Sequence, residues 1–300
     1  MSNLLSIKAA LQMASAQLKT EESVFEVQLL LQYALGVNRT WLIAHEHDAL
    51  QPNIHEVFEA LLNRRLAGEP MAHILASREF YGLDLLVTPD TLIPRPDTET
   101  LVDAALEKLP TGATPLPSSF SRDREGLSIL DLGTGTGAIA LAIAHNCPQV
   151  MLVAVDASAP ALAVAKQNAA QLNIPNVTFV LSDWFDVLAG KRFDLIVSNP
   201  PYIEQNDAHL VQGDLRFEPI SALASGVDGL DDIRHIVEHC LIYLKPQGWL
   251  MLEHGYNQAD AVTNLMAQVG LVEIETRKDL GGNDRVTIGK NPLIVSTHWD

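Results

Sequence analysis

From Leu127 onward, short apolar runs alternate with helical stretches, and this alternation constrains the fold more than any other feature of the chain. The runs are residues 128–132, 151–155, 178–181, 194–197 and 249–253. The stretches between them include 159–172 and 230–244, the latter stopped by Lys245-Pro246-Gln247-Gly248. Strands joined through helices run parallel, because a crossover of that length returns the chain to the same edge. The pattern therefore predicts an α/β, doubly wound, mostly parallel sheet. A last pair of strands, 272–276 and 285–289, flanks Asp279-Leu280-Gly281-Gly282-Asn283-Asp284.

The first 75 residues read differently. Ile7, Leu11, Ala14 and Leu18 recur at helical spacing. Residues 24–35 are apolar and stop at Gly36, a good helix-ending residue. Asn53, with Glu56 three residues on, resembles a capping box opening a helix with Phe58, Leu61, Leu62 and Leu66. Phe80-Tyr81-Gly82 and Leu85-Leu86-Val87 look like two strands around a turn. A chain of 300 residues suits two domains. The expected division is a helical domain over 1–76, a β-hairpin linker over 77–95, and an α/β domain over 96–300. The Pro, Ser, Thr and Gly-rich stretch 109–126 reads as an exposed loop.

The chemistry concentrates at strand ends. Asp131-Leu132-Gly133-Thr134-Gly135-Thr136-Gly137 closes the first strand of the sheet with alternating glycines, which let the backbone bend and approach a ligand. It is not the dinucleotide fingerprint, whose third glycine falls three residues after the second. Asp156, at the end of the next strand, suits ribose hydroxyls; it or Ser158 also suits the cap of the following helix. Asp183 and Trp184 follow the third strand and offer a carboxylate and a ring to an adenine, although a single Trp also serves as core. No Walker lysine accompanies these residues, so the pocket fits a nucleoside without phosphates. Asn199-Pro200-Pro201-Tyr202 follows the fourth strand. Two prolines stiffen the corner. The Asn amide, the carbonyls and the ring suit a flat, amide-like nitrogen.

The formal net charge is −17. That balance disfavours a protein built to grip nucleic-acid phosphates and favours a cationic ligand or a basic protein partner. Two cysteines without metal spacing imply neither a disulfide framework nor a metal site. No apolar run approaches the roughly 20 residues of a membrane helix, and no signal-peptide pattern opens the chain, so a soluble, cytosolic protein is expected. His235-Ile236-Val237-Glu238-His239 matches an inverted zinc-protease pattern, but Ile233, Ile236, Val237 and Cys240 mark the helix's buried face and leave the histidines outside.

The chain resembles the class I methyltransferases and, more narrowly, the release-factor glutamine methyltransferases of the PrmC/HemK family. The likeness runs through Arg64-Arg65-Leu66-Ala67-Gly68-Glu69-Pro70, Arg78-Glu79-Phe80-Tyr81-Gly82 and Ile93-Pro94-Arg95-Pro96-Asp97-Thr98-Glu99. It continues through the Gly loop, Ser198-Asn199-Pro200-Pro201-Tyr202-Ile203, Arg216-Phe217-Glu218-Pro219 and Glu253-His254-Gly255. The resemblance implies a Rossmann-like domain with a mostly parallel seven-stranded sheet and an antiparallel terminal strand. It implies S-adenosylmethionine as methyl donor, contacted by Gly133, Thr134, Gly135, Thr136, Gly137, Asp156, Asp183, Trp184 and Asn199. It implies the glutamine of the Gly-Gly-Gln motif in peptide chain release factors as acceptor, held by Asn199, Pro200, Pro201 and Tyr202, with Asn199, Pro200 and Tyr202 catalytic. A monomer without stable nucleic-acid binding is expected. Two rivals stand beside this reading: an adenine-N6 DNA or RNA methyltransferase using the same corner, and a non-enzymatic adaptor that recruits release factors.

Overall fold

The computed structural model describes residues 5–109 and 126–293. The chain divides into two compact units, Met1–Ser77 and Arg78–Asp300. In the first unit, α1 (Ile7–Ser15), α2 (Ser23–Leu35), α3 (Arg39–Ala44), α4 (Pro52–Leu66) and α5 (Met71–Leu75) enclose a core that includes Ile7, Leu30, Leu31, Leu42, Phe58 and Leu62. Gly36 ends α2 in the left-handed region. Arg65 reaches back from α4 to clasp the buried Glu26 carboxylate of α2 at 3.0 and 2.7 Å, and Arg64 pairs with Glu69. The Arg64–Pro70 block thus ties the helices together through ion pairs. Asn53 is not the cap of α4. Gln51 takes that place with Pro52 at the first helical position, where a missing N–H is harmless and φ is already set.

At the start of the second unit, β1 (Ser77–Phe80) and β2 (Leu83–Leu86) form a hairpin. Tyr81 and Gly82 belong to its turn rather than to a strand, because both take positive φ (52° and 78°). That is the signature of a two-residue turn matched to strand twist. A 3-10 turn over Pro96–Thr98 leads into α6 (Glu99–Lys108). Then follow β3 (Ser128–Leu132), α7 (Ala138–Asn146), β4 (Met151–Asp156), α8 (Ala159–Gln171), β5 (Val177–Leu181) and β6 (Phe193–Ser198). After a long connection come α9 (Asp231–Tyr243), β7 (Leu244–Glu253), α10 (Ala259–Gln268), β8 (Val272–Lys278) and β9 (Asp284–Lys290). Among the described residues these strands form a seven-stranded sheet in the order β5-β4-β3-β6-β7-β9-β8, parallel except for β9. The expected α/β class and antiparallel last strand are both present.

Side chains alternate across the sheet. Ile129, Leu195, Val197 and Met251 pack on one face with α6 and α7. Leu130, Leu132, Ile196, Leu250 and Leu252 pack on the other with α9 and α10. The helix expected over 230–244 stops one residue early, and Lys245-Pro246-Gln247-Gly248 lies inside β7 rather than in a turn. The strand absorbs it as an irregularity: Gln247 takes φ 68°, the register against β6 shifts, and the Asn291 carbonyl accepts the Gln247 N–H. Most of the stretch expected as an exposed loop, residues 110–125, lies outside the described residues.

Candidate active site

The order of strands reverses at β3. From it the chain winds outward through β4 to β5, then returns to place β6 on the other side. Such a switch point opens a crevice beyond the carboxyl ends of the strands. The Gly loop leaves β3 on one side of it and Asn199 leaves β6 on the other. Leu132 and Ser198 are paired in register, and the Ser198 hydroxyl donates to the Leu132 carbonyl at 2.7 Å. The two motifs therefore start from one fixed point.

A cavity of about 410 Å³ fills the crevice. Gly133, Gly135, Asp156, Asp183, Trp184, Asn199 and Pro201 line it. Thr134, Thr136 and Gly137 do not, because they build the loop from behind. The buried Thr134 donates to Asp131 at 2.6 Å, and the Thr136 carbonyl accepts from Asn168 of α8 at 3.0 Å. Gly137 takes φ 83°, and a Cβ there would meet Leu141 and Ala165 at 3.1 and 3.2 Å. Trp184 itself takes φ 40° and sets its ring beside Gly133.

Asp156 holds the loop in shape. One carboxylate oxygen accepts the Gly135 N–H and the other the Ser158 N–H, each at 2.8 Å. Ser158 is the cap of α8, accepting from Ala161. The cap role weighed for Asp156 therefore belongs to Ser158, while each Asp156 oxygen retains acceptor capacity beyond these bonds for a ribose hydroxyl. Burial raises its pKa. Beneath it, burial pushes Asp131 up to about 7, and its Oδ1 has no hydrogen-bond partner among the described residues.

The opposite wall was not legible as a site. Asp90, Thr91 and Leu92 line it from the segment after the hairpin, and Pro219, Ser221, Ala222 and Asp232 from the connection after β6 and the start of α9. Glu218 ties the two segments together, accepting the Ile93 N–H at 2.9 Å and pairing with Arg95. Glu99 instead pins the hairpin turn by accepting the Tyr81 N–H at 3.0 Å. The signal for these contacts lay in the charged residues of the Pro94–Glu99 and Arg216–Pro219 blocks.

Pro200 and Tyr202 stand outside the cavity lining. The Tyr202 carbonyl accepts from Gln258 at 3.0 Å and crowds Gly229, where a Cβ would lie 2.2 Å away. Burial raises the pKa of its phenol. Asn199 donates through Nδ2 to the Thr98 hydroxyl at 3.2 Å, which leaves its Oδ1 as an acceptor. Among the described residues no cluster able to hold a metal occurs; His235 and Glu238 are exposed and His239 half-buried on the outer side of α9.

The cavity fits a phosphate-free nucleoside carrying positive charge. Its volume lies within the range of small-molecule sites, Asp90, Asp156, Asp183 and Asp232 border it, and an indole ring covers one side. Residues 105–216 match the methyltransferase small domain, and residues 9–75 match the PrmC N-terminal domain. The fold is shared with a methyltransferase structure from Pyrococcus furiosus, at TM-score 0.51 and 16% identity, over 77% of this chain and 98% of that one. The fold and the pocket define an S-adenosylmethionine-dependent methyltransferase.

Two curated relatives narrow the class. The release factor glutamine methyltransferase of Xylella fastidiosa is 46% identical over 89% of this chain and 93% of its own length. That of Escherichia coli is 44% identical over 92% and 96%. The chain belongs to the release factor glutamine methyltransferase family.

Proposed function

We propose that this protein transfers a methyl group from S-adenosylmethionine to the side-chain amide nitrogen of the glutamine in the Gly-Gly-Gln motif of peptide chain release factors. Membership of the family carries the choice of substrate. The observation that carries the chemistry is Asn199, whose Nδ2 is held by Thr98 so that its Oδ1 is left to accept beside the Gly loop.

When bound, the cofactor supplies an electrophilic sulfonium methyl. Gly133, Gly135, Asp156, Asp183 and Trp184 hold it. A carboxamide nitrogen is a weak nucleophile because its lone pair is delocalised. Asn199 Oδ1 and the Pro200 carbonyl each accept one N–H of the substrate amide. Two acceptors fix the plane of that nitrogen and stabilise the positive charge it gains as it is alkylated. Tyr202 stacks on the amide, its position fixed by the Gln258 bond and the close approach of Gly229. Alignment of this kind accounts for up to ~7–11 kcal/mol of a barrier. No acid is needed, because the departing thioether is neutral, and the methylated nitrogen releases its extra proton to water after transfer.

The helical unit, residues 1–76, docks the protein substrate, the enzyme works as a monomer, and it does not bind nucleic acid stably. Its net charge of −17 supports the last point. Incubation with labelled S-adenosylmethionine and either a purified release factor or duplex DNA and RNA tests the reading. Label on the release factor alone supports it; label on nucleic acid, or on neither, refutes it.

A further inference from the structure

Glu253 is an anomaly of the sheet. It ends β7, a central strand whose four preceding residues, Trp249 to Leu252, are apolar and buried. The residue is 1% exposed, and Oε2 has no hydrogen-bond partner among the described residues. A buried carboxylate left partly unsatisfied is costly and calls for a reason. The groups facing it come from three other elements. They are Thr98 and Asp97 of the turn before α6, Tyr202 of the corner after β6, and Arg285 of β9. Thr98 and Tyr202 hydrogen-bond to it through their hydroxyls.

Thr98 also accepts the Asn199 Nδ2–H at 3.2 Å and is itself 4% exposed. A threonine hydroxyl has one proton to give. Burial raises the Glu253 carboxyl to about 7, so above that pH it is ionised and can only accept, and the Thr98 proton goes to Glu253. The chain of bonds then has one direction, from Asn199 through Thr98 to Glu253. If the Asn199 amide flipped, Oδ1 would face a hydroxyl oxygen whose proton is already committed, and both groups would lose a bond.

We infer that Thr98 and Glu253 are positioning residues that fix which end of the Asn199 amide faces the cavity. They keep Oδ1, rather than the NH2 group, turned toward the substrate amide. This rests on the proposed role of Asn199. It explains why a Pro-Arg-Pro-Asp-Thr-Glu block, with Thr98 lying 101 residues upstream of Asn199, belongs to the site.

Thr98→Val and Thr98→Ser test it. Thr98→Val keeps the shape and removes the hydroxyl. At pH 8, where Glu253 is ionised, its turnover on a release factor is expected to fall at least about tenfold, the effect of ~1.4 kcal/mol. Its affinity for S-adenosylhomocysteine should be that of the wild type, while its melting temperature falls because a buried hydrogen bond is lost. Thr98→Ser should recover most of the lost turnover. A purely structural role would instead lower cofactor affinity along with turnover. The second readout needs no release factor: in 15N-labelled protein, one Asn199 side-chain N–H should be protected from solvent exchange and lose that protection in Thr98→Val. Undiminished turnover in Thr98→Val, no recovery in Thr98→Ser, or an unprotected Asn199 amide in the wild type would each overturn the inference. A wild type that leaves release factors unmethylated would instead refute the proposed substrate, and the exchange measurement would still decide the role of Thr98.

Discussion

Replacing Glu253 by Gln changes the pH dependence of stability in a calculable way. Burial pushes the Glu253 carboxyl from an ordinary 4.5 up to about 7, against the smaller opposing pull of Thr98 and Arg285. Between those two pH values the folded protein holds a proton that the unfolded chain has released. Stability therefore falls as pH rises through this window, by ~1.4 kcal/mol for each pH unit. The loss from Glu253 alone reaches ~3 kcal/mol by pH 8. The amide introduced by Glu253→Gln does not titrate, so the variant escapes this loss. That amide also has packing and hydrogen-bond consequences, but these do not vary with pH. The assay is urea unfolding of wild type and Glu253→Gln at pH 4.5 and pH 8, read by far-UV circular dichroism. The stability of the variant relative to wild type should improve by ~3 kcal/mol between the two, and other titrating groups cancel in the comparison. A difference that stays constant with pH would refute the buried, proton-holding carboxylate.

Four further outcomes follow from the geometry. Asn199→Ala should lower turnover by ~10²–10³ while S-adenosylhomocysteine affinity, measured by calorimetry, changes far less. Asp156→Ala strands the Gly135 and Ser158 N–H groups, so it should weaken cofactor binding and cost ~1–3 kcal/mol of stability in denaturant unfolding. Gly137→Ala should destabilise by at least ~1 kcal/mol in the same assay, since its φ of 83° disfavours a side chain and Leu141 and Ala165 crowd the added carbon. In the helical unit, Arg65→Ala leaves Glu26 buried without its clasp and should cost ~3 kcal/mol; Arg65→Ala with Glu26→Gln should cost less.

The sheet was legible because each strand and its following turn are local patterns. The Gly loop and the Asn199 corner could be placed at strand ends from a short stretch of sequence each. Where two local rules competed, the reading failed. Pro52 outranked Asn53 in starting α4, and the positive φ of Tyr81 made a turn from an aromatic that favours strands. Lys245-Pro246-Gln247-Gly248 carries every mark of a turn, yet Asn291 holds it in the sheet by accepting the Gln247 N–H and donating to the Leu244 and Lys245 carbonyls. The rear of the site was invisible for a different reason. Thr98, Asn199 and Glu253 come together only when the turn before α6 packs against the ends of β6 and β7, and no spacing rule links them. The clues were the Ile93–Glu99 and Glu253–Gly255 blocks of the family resemblance and a carboxylate closing the apolar run Trp249-Leu250-Met251-Leu252, and none of them says that these residues meet.

The most direct measurement is tandem mass spectrometry of a purified release factor after incubation with this protein and S-adenosylmethionine. A single methyl group on the side-chain nitrogen of the Gly-Gly-Gln glutamine, absent with Asn199→Ala, is the result expected. A methyl group on any other residue, or an unmodified glutamine with active cofactor binding, would contradict the assignment.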